Sequence, residues 1–175
     1  MDEAYIDFSD IPSWVKRKDE FNNLIVLQTF SKAWGMAGIR LGMAFADPEV
    51  VQVLNKIKYP YNLNDVTANI VLKTLVDPTK KEDMVAKIKE ERSFLMNAFS
   101  NMALVRKVIP SQANFFLARF DNPNDVYTYL TEEGIIVRNR SNQLHCEGCL
   151  RITIGTHEEN EILCEALQVY TKRNR

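Results

Sequence analysis

The sequence predicts an α/β protein in two parts, an α/β segment at residues 1–79 and a small α+β domain at residues 80–175. In the first part, two short apolar strand candidates at residues 24–27 and 43–46 flank a loop that holds three of the chain's six glycines. After about residue 103, strands and helices alternate over short distances, which is typical of one compact domain of strands backed by helices.

Helix signals follow the second strand candidate. Asp47-Pro48 is an N-cap followed by proline at the first helical position, and this helix should end before residue 60. Asn64 or Asp65 caps a second helix. The apolar face of this second helix should contain Val66, Ile70, Val71 and Leu75, and a long third helix carries Met84, Ile88, Leu95 and Phe99 at near-helical spacing.

The second part contains four predicted strands and two interleaved helices. The strands lie at residues 104–109, 113–120, 134–138 and 150–154. One helix starts near Asn122-Pro123 and ends before Gly134. The other begins with a capping box, Thr156-x-x-Glu159, in which a hydroxyl and a carboxylate can satisfy backbone N–H groups reciprocally.

Composition excludes several classes of protein. Hydrophobic residues make up 46% of the chain, which predicts a packed globule rather than disorder. The formal net charge of -1 gives no basis for a nucleic-acid or membrane partner, and no apolar run approaches the ~18 residues that span a bilayer. The acidic N-terminus carries no signal-peptide pattern. Three cysteines, an odd and sparse set, favour a reducing compartment, so the predicted location is cytoplasmic.

Lys32 is the first candidate for chemistry. It follows the strand candidate at residues 24–27 and has mostly apolar neighbours, which favour a neutral amine able to form a Schiff base with a carbonyl compound. Ser31, beside it, and Arg40, eight residues later, could hold a phosphate together with backbone amides of the glycine-rich loop. The alternative is a surface lysine at the end of a buried strand.

The glycine spacing of this loop excludes two nucleotide-binding patterns. The glycines lie three and then four residues apart, and no Gly-Lys-Ser/Thr follows them, so neither a Walker-type loop nor Gly-x-Gly-x-x-Gly is present. The twelve residues from Ser31 to Gly42 resemble instead the signature of fold-type I, class-II aminotransferases. The resemblance implies that Lys32 bears pyridoxal 5'-phosphate and that Ser31 and Arg40 hold the cofactor phosphate.

The same resemblance implies a fold. It identifies the chain as the C-terminal part of a pyridoxal-phosphate-dependent transferase, with residues 1–79 as the second half of the large cofactor-binding domain. The small domain would then be residues 80–175. We expect the 175-residue chain by itself to be a poor catalyst, because the family's remaining contacts to the cofactor lie in its other half.

A second motif lies about thirty residues before the lysine. Asp2-Glu3-Ala4-Tyr5 resembles an Asp-Glu-Ala-Tyr segment of the same family. The resemblance implies that Asp2 pairs with the protonated pyridine nitrogen, which makes the cofactor a better electron sink. It also implies that the Tyr5 hydroxyl reaches the phenolic oxygen of the ring. Taken alone, Asp2 would be a solvated acid.

Two arginines are candidates for substrate binding. Residues 149–156, Cys-Leu-Arg-Ile-Thr-Ile-Gly-Thr, resemble a strand of the histidinol-phosphate aminotransferases, and this implies that Arg151 binds the substrate α-carboxylate. Residues 134–138 resemble the strand whose arginine, here Arg138, helps to bind the substrate phosphate. The alternative for both is a solvated charge, since alternation places Leu150, Ile152 and Ile154 on the face opposite Arg151.

Three weaker signals remain. Tyr61 lies in a segment that resembles a family loop near the cofactor, and it is either a wall of the site or plain packing. Asn114 could line the substrate pocket or face a turn. Cys146-Glu147-Gly148-Cys149 is a single Cys-x-x-Cys, whereas a structural zinc site usually needs two such pairs, so no metal is expected.

The resemblance implies transamination between glutamate and imidazole-acetol phosphate, which makes histidinol phosphate in histidine biosynthesis. It also implies small amino-acid and keto-acid substrates, and a homodimer for full-length members. Three alternatives remain open: a threonine-phosphate decarboxylase, an aromatic aminotransferase, or an inactive C-terminal fragment that only packs or associates.

Overall fold

The computed structural model describes residues 1–173, which form a mixture of helices and strands as predicted. The chain divides into two compact units, Met1–Val85 and Ala86–Arg175. The predicted boundary at residues 79 and 80 coincides with the start of a long helix, α3 (Thr79–Ser100), and the division between the units lies within that helix. Within the described residues, no helix is both long enough and apolar enough to cross a membrane.

The first unit is built on one antiparallel strand pair. Strands β1 (Val26–Thr29) and β2 (Gly42–Phe45) correspond to the two predicted strands, shifted by one or two residues. Their register pairs Val26 with Phe45 and Thr29 with Gly42. On the other edge of β1, Asp2 forms a parallel bridge with Leu27. The N-terminal segment and the loop after β1 are therefore both attached to one short strand.

Two helices of the first unit begin where the capping signals predict. In α1 (Pro48–Ile57), the Asp47 side chain accepts a hydrogen bond from the Glu49 N–H at 2.9 Å. In α2 (Asp65–Leu75), the Asn64 side chain accepts one from the Thr67 N–H at 2.9 Å. Both caps form within three residues of the helix start, which is why the local sequence predicts them.

The predicted apolar face of α2 is largely uncovered. Val71 is buried, but Val66, Ile70 and Leu75 are exposed, and no residue of α1 is buried. Helical periodicity identifies the apolar stripe of a helix, whereas burial depends on a partner surface. In α3 the apolar spacing does predict burial, because Leu95 and Phe99 both lie in a hydrophobic core.

The second unit is a four-stranded antiparallel sheet with the strand order β3-β4-β6-β5. Its strands are β3 (Val105–Ile109), β4 (Phe115–Phe120), β5 (Arg138–Asn139) and β6 (Cys149–Thr153). Two helices complete it, α4 (Pro123–Glu132) and α5 (His157–Arg173). The predicted capping box forms, since Glu159 accepts from the Thr156 N–H at 2.7 Å and the Thr156 hydroxyl accepts from the Glu159 N–H at 3.3 Å.

One predicted strand is wrong in extent. Residues 134–137 do not join the sheet, and β5 consists of Arg138 and Asn139 only. The cause is the end of α4, where Gly134 adopts a φ of 76° and donates to the Thr131 carbonyl, while the Ile135 N–H donates to the Leu130 carbonyl at 2.7 Å. This pair of hydrogen bonds is a Schellman motif, which uses the backbone groups that a strand would need.

Alternation along β4 and β6 divides the sheet into two different faces. One face packs against the helices and forms the core, to which the strands contribute Phe116, Ala118, Phe120, Leu150 and Ile152, and the helices contribute Leu95, Phe99, Val126, Leu130, Leu163 and Leu167. The other face carries Leu117, Arg119 and Arg151, because these residues alternate with the core set. The predicted opposition of Arg151 to Leu150 and Ile152 is confirmed.

Phe116→Ala should destabilise the second unit by about 3–5 kcal/mol, because it empties a fully buried site. The Phe116 ring meets the Phe99 ring edge-on, with centroids 5.2 Å apart. Urea unfolding followed by circular dichroism measures the loss. Phe94→Ala removes an exposed ring on α3 and should cost less than about 1 kcal/mol. Equal losses for the two variants would contradict the position of the core.

Candidate active site

The loop that contains Lys32 is closed by hydrogen bonds at its base. The Phe30 N–H donates to the Leu41 carbonyl at 3.2 Å, and the Thr29 hydroxyl lies 3.3 Å from the same oxygen. Ser31 directly follows Phe30, and Arg40 directly precedes Leu41. The pairing of β1 with β2 therefore brings Ser31 and Arg40 to the same end of the hairpin, although eight residues lie between them.

Ser31 and Arg40 are held in different ways. The Ser31 N–H donates to the Thr29 hydroxyl at 3.1 Å, so a side chain of β1 fixes the backbone at the loop entrance. Arg40 adopts a left-handed backbone with a φ of 54°, and its Nη1 donates to the Ala37 carbonyl at 3.0 Å. A left-handed conformation costs a non-glycine residue about 1–2 kcal/mol, and strain of this kind is concentrated at functional sites.

Lys32 lies beside the N-terminal motif. Its Nζ atom is 5.2 Å from the centroid of the Tyr5 ring, and the Lys32 side chain is exposed. Asp2 reaches the same region through backbone pairing, since the Glu3 N–H donates to the Leu27 carbonyl at 2.8 Å and the Leu27 N–H donates to the Met1 carbonyl at 2.9 Å. The Asp2 carboxylate is exposed and accepts from the Ala4 N–H at 2.9 Å. One strand thus positions both motifs.

Glu3 is an important residue that the sequence patterns did not identify. Only 6% of its surface is exposed, and its carboxylate accepts hydrogen bonds from the Ser13 hydroxyl at 2.7 Å, the Trp14 N–H at 2.7 Å and the Gln28 amide at 2.9 Å. Burial raises the pKa of Glu3, but the three hydrogen bonds outweigh it and leave the pKa below its usual range. The sequence did contain one signal for Glu3. Neighbouring side chains in an extended segment point to opposite sides, so if Asp2 faces a ligand, Glu3 is directed towards the interior.

The donor set of the first unit fits pyridoxal 5'-phosphate. Lys32 could supply an amine for a carbonyl group, Asp2 a carboxylate for a protonated ring nitrogen, and Tyr5 a phenol whose ring centroid is 5.2 Å from that amine. Ser31 and Arg40 supply a hydroxyl and a guanidinium, which suit a phosphate. Two geometric observations support the fit, namely the contact between Lys32 and Tyr5 and the strained backbone of Arg40.

Tyr61 lies apart from this group. It belongs to the connection between α1 and α2, and 95% of its surface is exposed. A side chain with that exposure packs against nothing, so the structure does not bring Tyr61 to the Lys32 loop.

Arg138 and Arg151 are brought together in the second unit. They are directly opposite each other in the antiparallel pair of β5 and β6, and residues opposed in this way project from the same face. The Arg151 guanidinium lies over the Phe115 ring, 5.1 Å from its centroid. Its Nε atom is buried and has no hydrogen-bond partner among the residues that the structure describes. Two opposed cations and an unsatisfied buried donor favour an anionic ligand at this point.

Asn114 lies just before β4 on the neighbouring strand. Its carbonyl accepts a hydrogen bond from the Ile154 N–H at 3.0 Å, one step beyond the pair formed by Phe115 and Thr153. Its side chain is half-buried. Asn114 is therefore paired three residues further along the chain than Arg151, which is opposite Leu117, and does not lie directly beside that arginine.

The Cys146–Cys149 pair is not part of a metal-ligand cluster among the described residues. Within residues 1–173, no group of three or more histidine, cysteine, aspartate or glutamate side chains is arranged to hold a metal ion.

Comparison with known proteins gives consistent matches over nearly the whole chain. The sequence model of the aminotransferase class I and II family matches residues 1–167. Histidinol-phosphate aminotransferase of Bacteroides fragilis (strain YCH46) is 52% identical over 170 residues, which cover 97% of this chain and 49% of that protein. The corresponding protein of Parabacteroides distasonis is 52% identical over 168 residues, with 96% and 49% covered. The chain thus spans about half the length of the curated relatives it matches.

Solved structures agree with this relationship. The histidinol-phosphate aminotransferase from Clostridium acetobutylicum has a TM-score of 0.91 and 25% identity, over 98% of this chain and 53% of that one. The enzyme of the same name from Sinorhizobium meliloti, solved in complex with pyridoxal-5'-phosphate, has a TM-score of 0.81 over 97% of this chain and 48% of that one. At 22% identity the second likeness shows the fold alone. The predicted fold, the C-terminal part of a pyridoxal-phosphate-dependent transferase, is confirmed.

Glu3→Gln should lower the stability of the first unit by about 1.5–3 kcal/mol at pH 7, because it removes the charge that three donors share. The pKa of Glu3 is lowered on folding, so its contribution is complete above the unfolded pKa of about 4.3 and is lost as the pH falls through the folded value. The parent should therefore lose stability below about pH 4, and the variant should lose less.

Both tryptophans of the chain lie in the first unit, so their fluorescence during urea unfolding at several pH values is the measurement. Glu49→Gln changes an exposed carboxylate of the same unit and should leave the pH dependence unchanged. An identical pH dependence for parent and Glu3→Gln would contradict the role given to Glu3.

Proposed function

Because the chain belongs to the aminotransferase class I and II family, we propose that the whole protein is a pyridoxal-phosphate-dependent transaminase acting between glutamate and imidazole-acetol phosphate. The product would be histidinol phosphate, in histidine biosynthesis. The choice of substrate rests on curated relatives of that name, which are 52% identical over 97% of this chain. The observation that carries the chemistry is the Lys32 amine, which lies against Tyr5 at the end of the hairpin that also presents Ser31 and Arg40.

Five residues of the first unit would hold the cofactor. Lys32 would bind its carbonyl carbon, and Asp2 would keep its ring nitrogen protonated. Tyr5 would donate its hydroxyl to the phenolic oxygen, while Ser31 and Arg40 would bind the phosphate. When bound, pyridoxal phosphate supplies an electron sink that weakens the C–H bond at the α-carbon of the amino acid.

Lys32 would have a second role after it releases the cofactor. Its amine would act as the general base that takes the proton from the α-carbon of the substrate and then gives it back, so that one residue serves the whole 1,3-proton shift. Lys32 is exposed and lies three residues after the end of β1, which leaves its side chain room to move. Asp2 is also exposed but is fixed by the Ala4 N–H, so its carboxylate is oriented before any ligand binds.

Two arginines of the second unit would recognise the substrate. Arg151 would bind the α-carboxylate through its planar fork, since its buried Nε has no partner within residues 1–173 and Phe115 supports the guanidinium plane. Arg138, exposed and directly opposite, would bind the phosphate of the phosphorylated substrate. Asn114 and Tyr61 would form walls of the substrate site. The exposure of Tyr61 means that it would contribute only after its loop is covered.

The remaining proposals concern the whole protein. We propose that residues 1–79 are the second half of its large cofactor-binding domain and that residues 80–175 are its small domain. It would act as a cytoplasmic homodimer. The exposed apolar residues of α1 and α2, among them Ile57 and Val66, support an association of this segment with further protein surface.

The lysine assignment can be tested in a chimera that joins this chain to the N-terminal half of the Bacteroides fragilis relative. After addition of pyridoxal phosphate and borohydride, peptide mass spectrometry should find the cofactor on Lys32. Lys32→Ala should abolish this adduct and lower kcat by at least about 10²–10⁴-fold, since both a covalent anchor and a base are lost. Lys73→Ala, an exposed lysine of α2, is the matched control and should change neither. An adduct on a different lysine would refute the assignment.

The two arginines should differ in substrate selectivity in the same chimera. Arg151→Lys should weaken glutamate and the phosphorylated substrate alike, because both present an α-carboxylate to the fork. Arg138→Ala should raise KM for the phosphorylated substrate about 10–100-fold, as expected for charged hydrogen bonds, and should affect glutamate little. Steady-state kinetics with each substrate measure both effects. Equal losses for both substrates in Arg138→Ala would exclude a phosphate role.

A further inference from the structure

The segment from Cys146 to Cys149 is a β-turn that the proposed transaminase chemistry does not use. The Cys149 N–H donates to the Cys146 carbonyl at 2.9 Å, and Gly148 at the third position has a φ of 75°, as a type II turn requires. A β-turn holds its first and fourth Cα atoms within about 7 Å, which overlaps the range of about 4.4–6.8 Å found in disulfides. The turn therefore keeps the two Cα atoms close enough for a disulfide to be formed between the two side chains.

The Cys149 sulfur is directed back over its own turn. Its Sγ atom lies 3.7 Å from the carbonyl oxygen of Glu147, the residue that follows Cys146. Cys149 is fully buried, whereas Cys146 is partly exposed. The pair thus consists of one partly exposed residue that a small oxidant can reach and one buried residue three positions later.

The turn is fixed by its surroundings. The Phe120 N–H donates to the Gly148 carbonyl, and the Arg140 N–H donates to the Cys149 carbonyl, both at 2.9 Å, so the turn is joined to β4 and to the end of β5. A Cβ atom on Gly148 would lie 3.0 Å from the Phe120 carbonyl oxygen, too close for any larger residue without movement. The separation of the two cysteines is therefore maintained by the fold.

We propose that Cys146 and Cys149 form a reversible intramolecular disulfide when the protein encounters hydrogen peroxide. The Cys146 sulfur attacks one peroxide oxygen, the O–O bond breaks, and a sulfenic acid and one water are formed. The Cys149 sulfur then attacks the Cys146 sulfur, the S–O bond breaks, and a second water leaves. Two thiols lose two hydrogens in total, and one hydrogen peroxide is reduced to two waters.

The oxidised pair would lie at the start of β6. Cys149 is the first residue of β6, and Arg151, the proposed carboxylate ligand, is two residues further on. Oxidation would tie the β5–β6 connection to that strand covalently, and a dithiol would release it. The inference depends on the turn alone, so it can hold or fail independently of the transaminase proposal.

The test uses the reduced 175-residue chain and hydrogen peroxide as the probe. After oxidation, remaining thiols are blocked with N-ethylmaleimide, and the chain is digested without reduction for mass spectrometry. Most of the protein molecules should lose the mass of two hydrogens. The digest should contain one internal disulfide, between Cys146 and Cys149, and dithiothreitol should reduce it. Cys164 is an internal control, since burial raises the pKa of its thiol and it should remain reduced.

Two comparisons make the result decisive. Cys146→Ser alters only the partly exposed member of the pair and should abolish the internal bond. In urea, where the turn is absent, bonds to Cys164 should appear beside the Cys146–Cys149 bond. The same mixture in native buffer would overturn the proposal, because the fold would not then select the pair. Bonds between chains through Cys146, or its sulfinic acid with Cys149 still a thiol, would also overturn it.

Discussion

The buried carboxylate of Glu3 is the interaction on which the first unit depends. It joins three separate segments, because its hydrogen bonds reach the Ser13–Trp14 turn and Gln28 of β1. A charge in this position would be costly if any of the three donors were missing, so the segments are held together as a set. Asp2 is exposed on the other side of the same extended segment. Glu3, which holds the segments together, and Asp2, the proposed cofactor ligand, are thus adjacent residues whose side chains point in opposite directions.

The second unit depends on strand alternation in a similar way. Pairing of β4 with β6 directs Phe116 and Ile152 to the helices, and the same pairing directs Leu117 and Arg151 to the other face. The core therefore determines where Arg151 lies, although Arg151 is not part of it. A shift of one residue in this register would exchange the two faces and place a guanidinium in the core. The register that packs the core therefore also places Arg151 on the opposite face of the sheet.

Unfavourable local features occur at candidate residues of each unit. Arg40 has a left-handed backbone, Arg138 and Arg151 oppose each other as like charges, and the Arg151 Nε lacks a partner among the described residues. Each of these features costs stability in the chain without ligand. A bound phosphate or carboxylate would offset the last two. All three arginines also belong to the sequence motifs described above.

The sequence by itself determined the features that depend on neighbouring residues. The caps at Asp47, Asn64 and Thr156 form within three residues of each helix start, and the motif around Lys32 identifies a chemistry because its spacing is specific. Tertiary structure alone decided which apolar stripe is covered and which partners Glu3 finds. These outcomes depend on hydrogen bonds and packing between segments far apart in the chain, such as Glu3 with Gln28, and no local pattern specifies them.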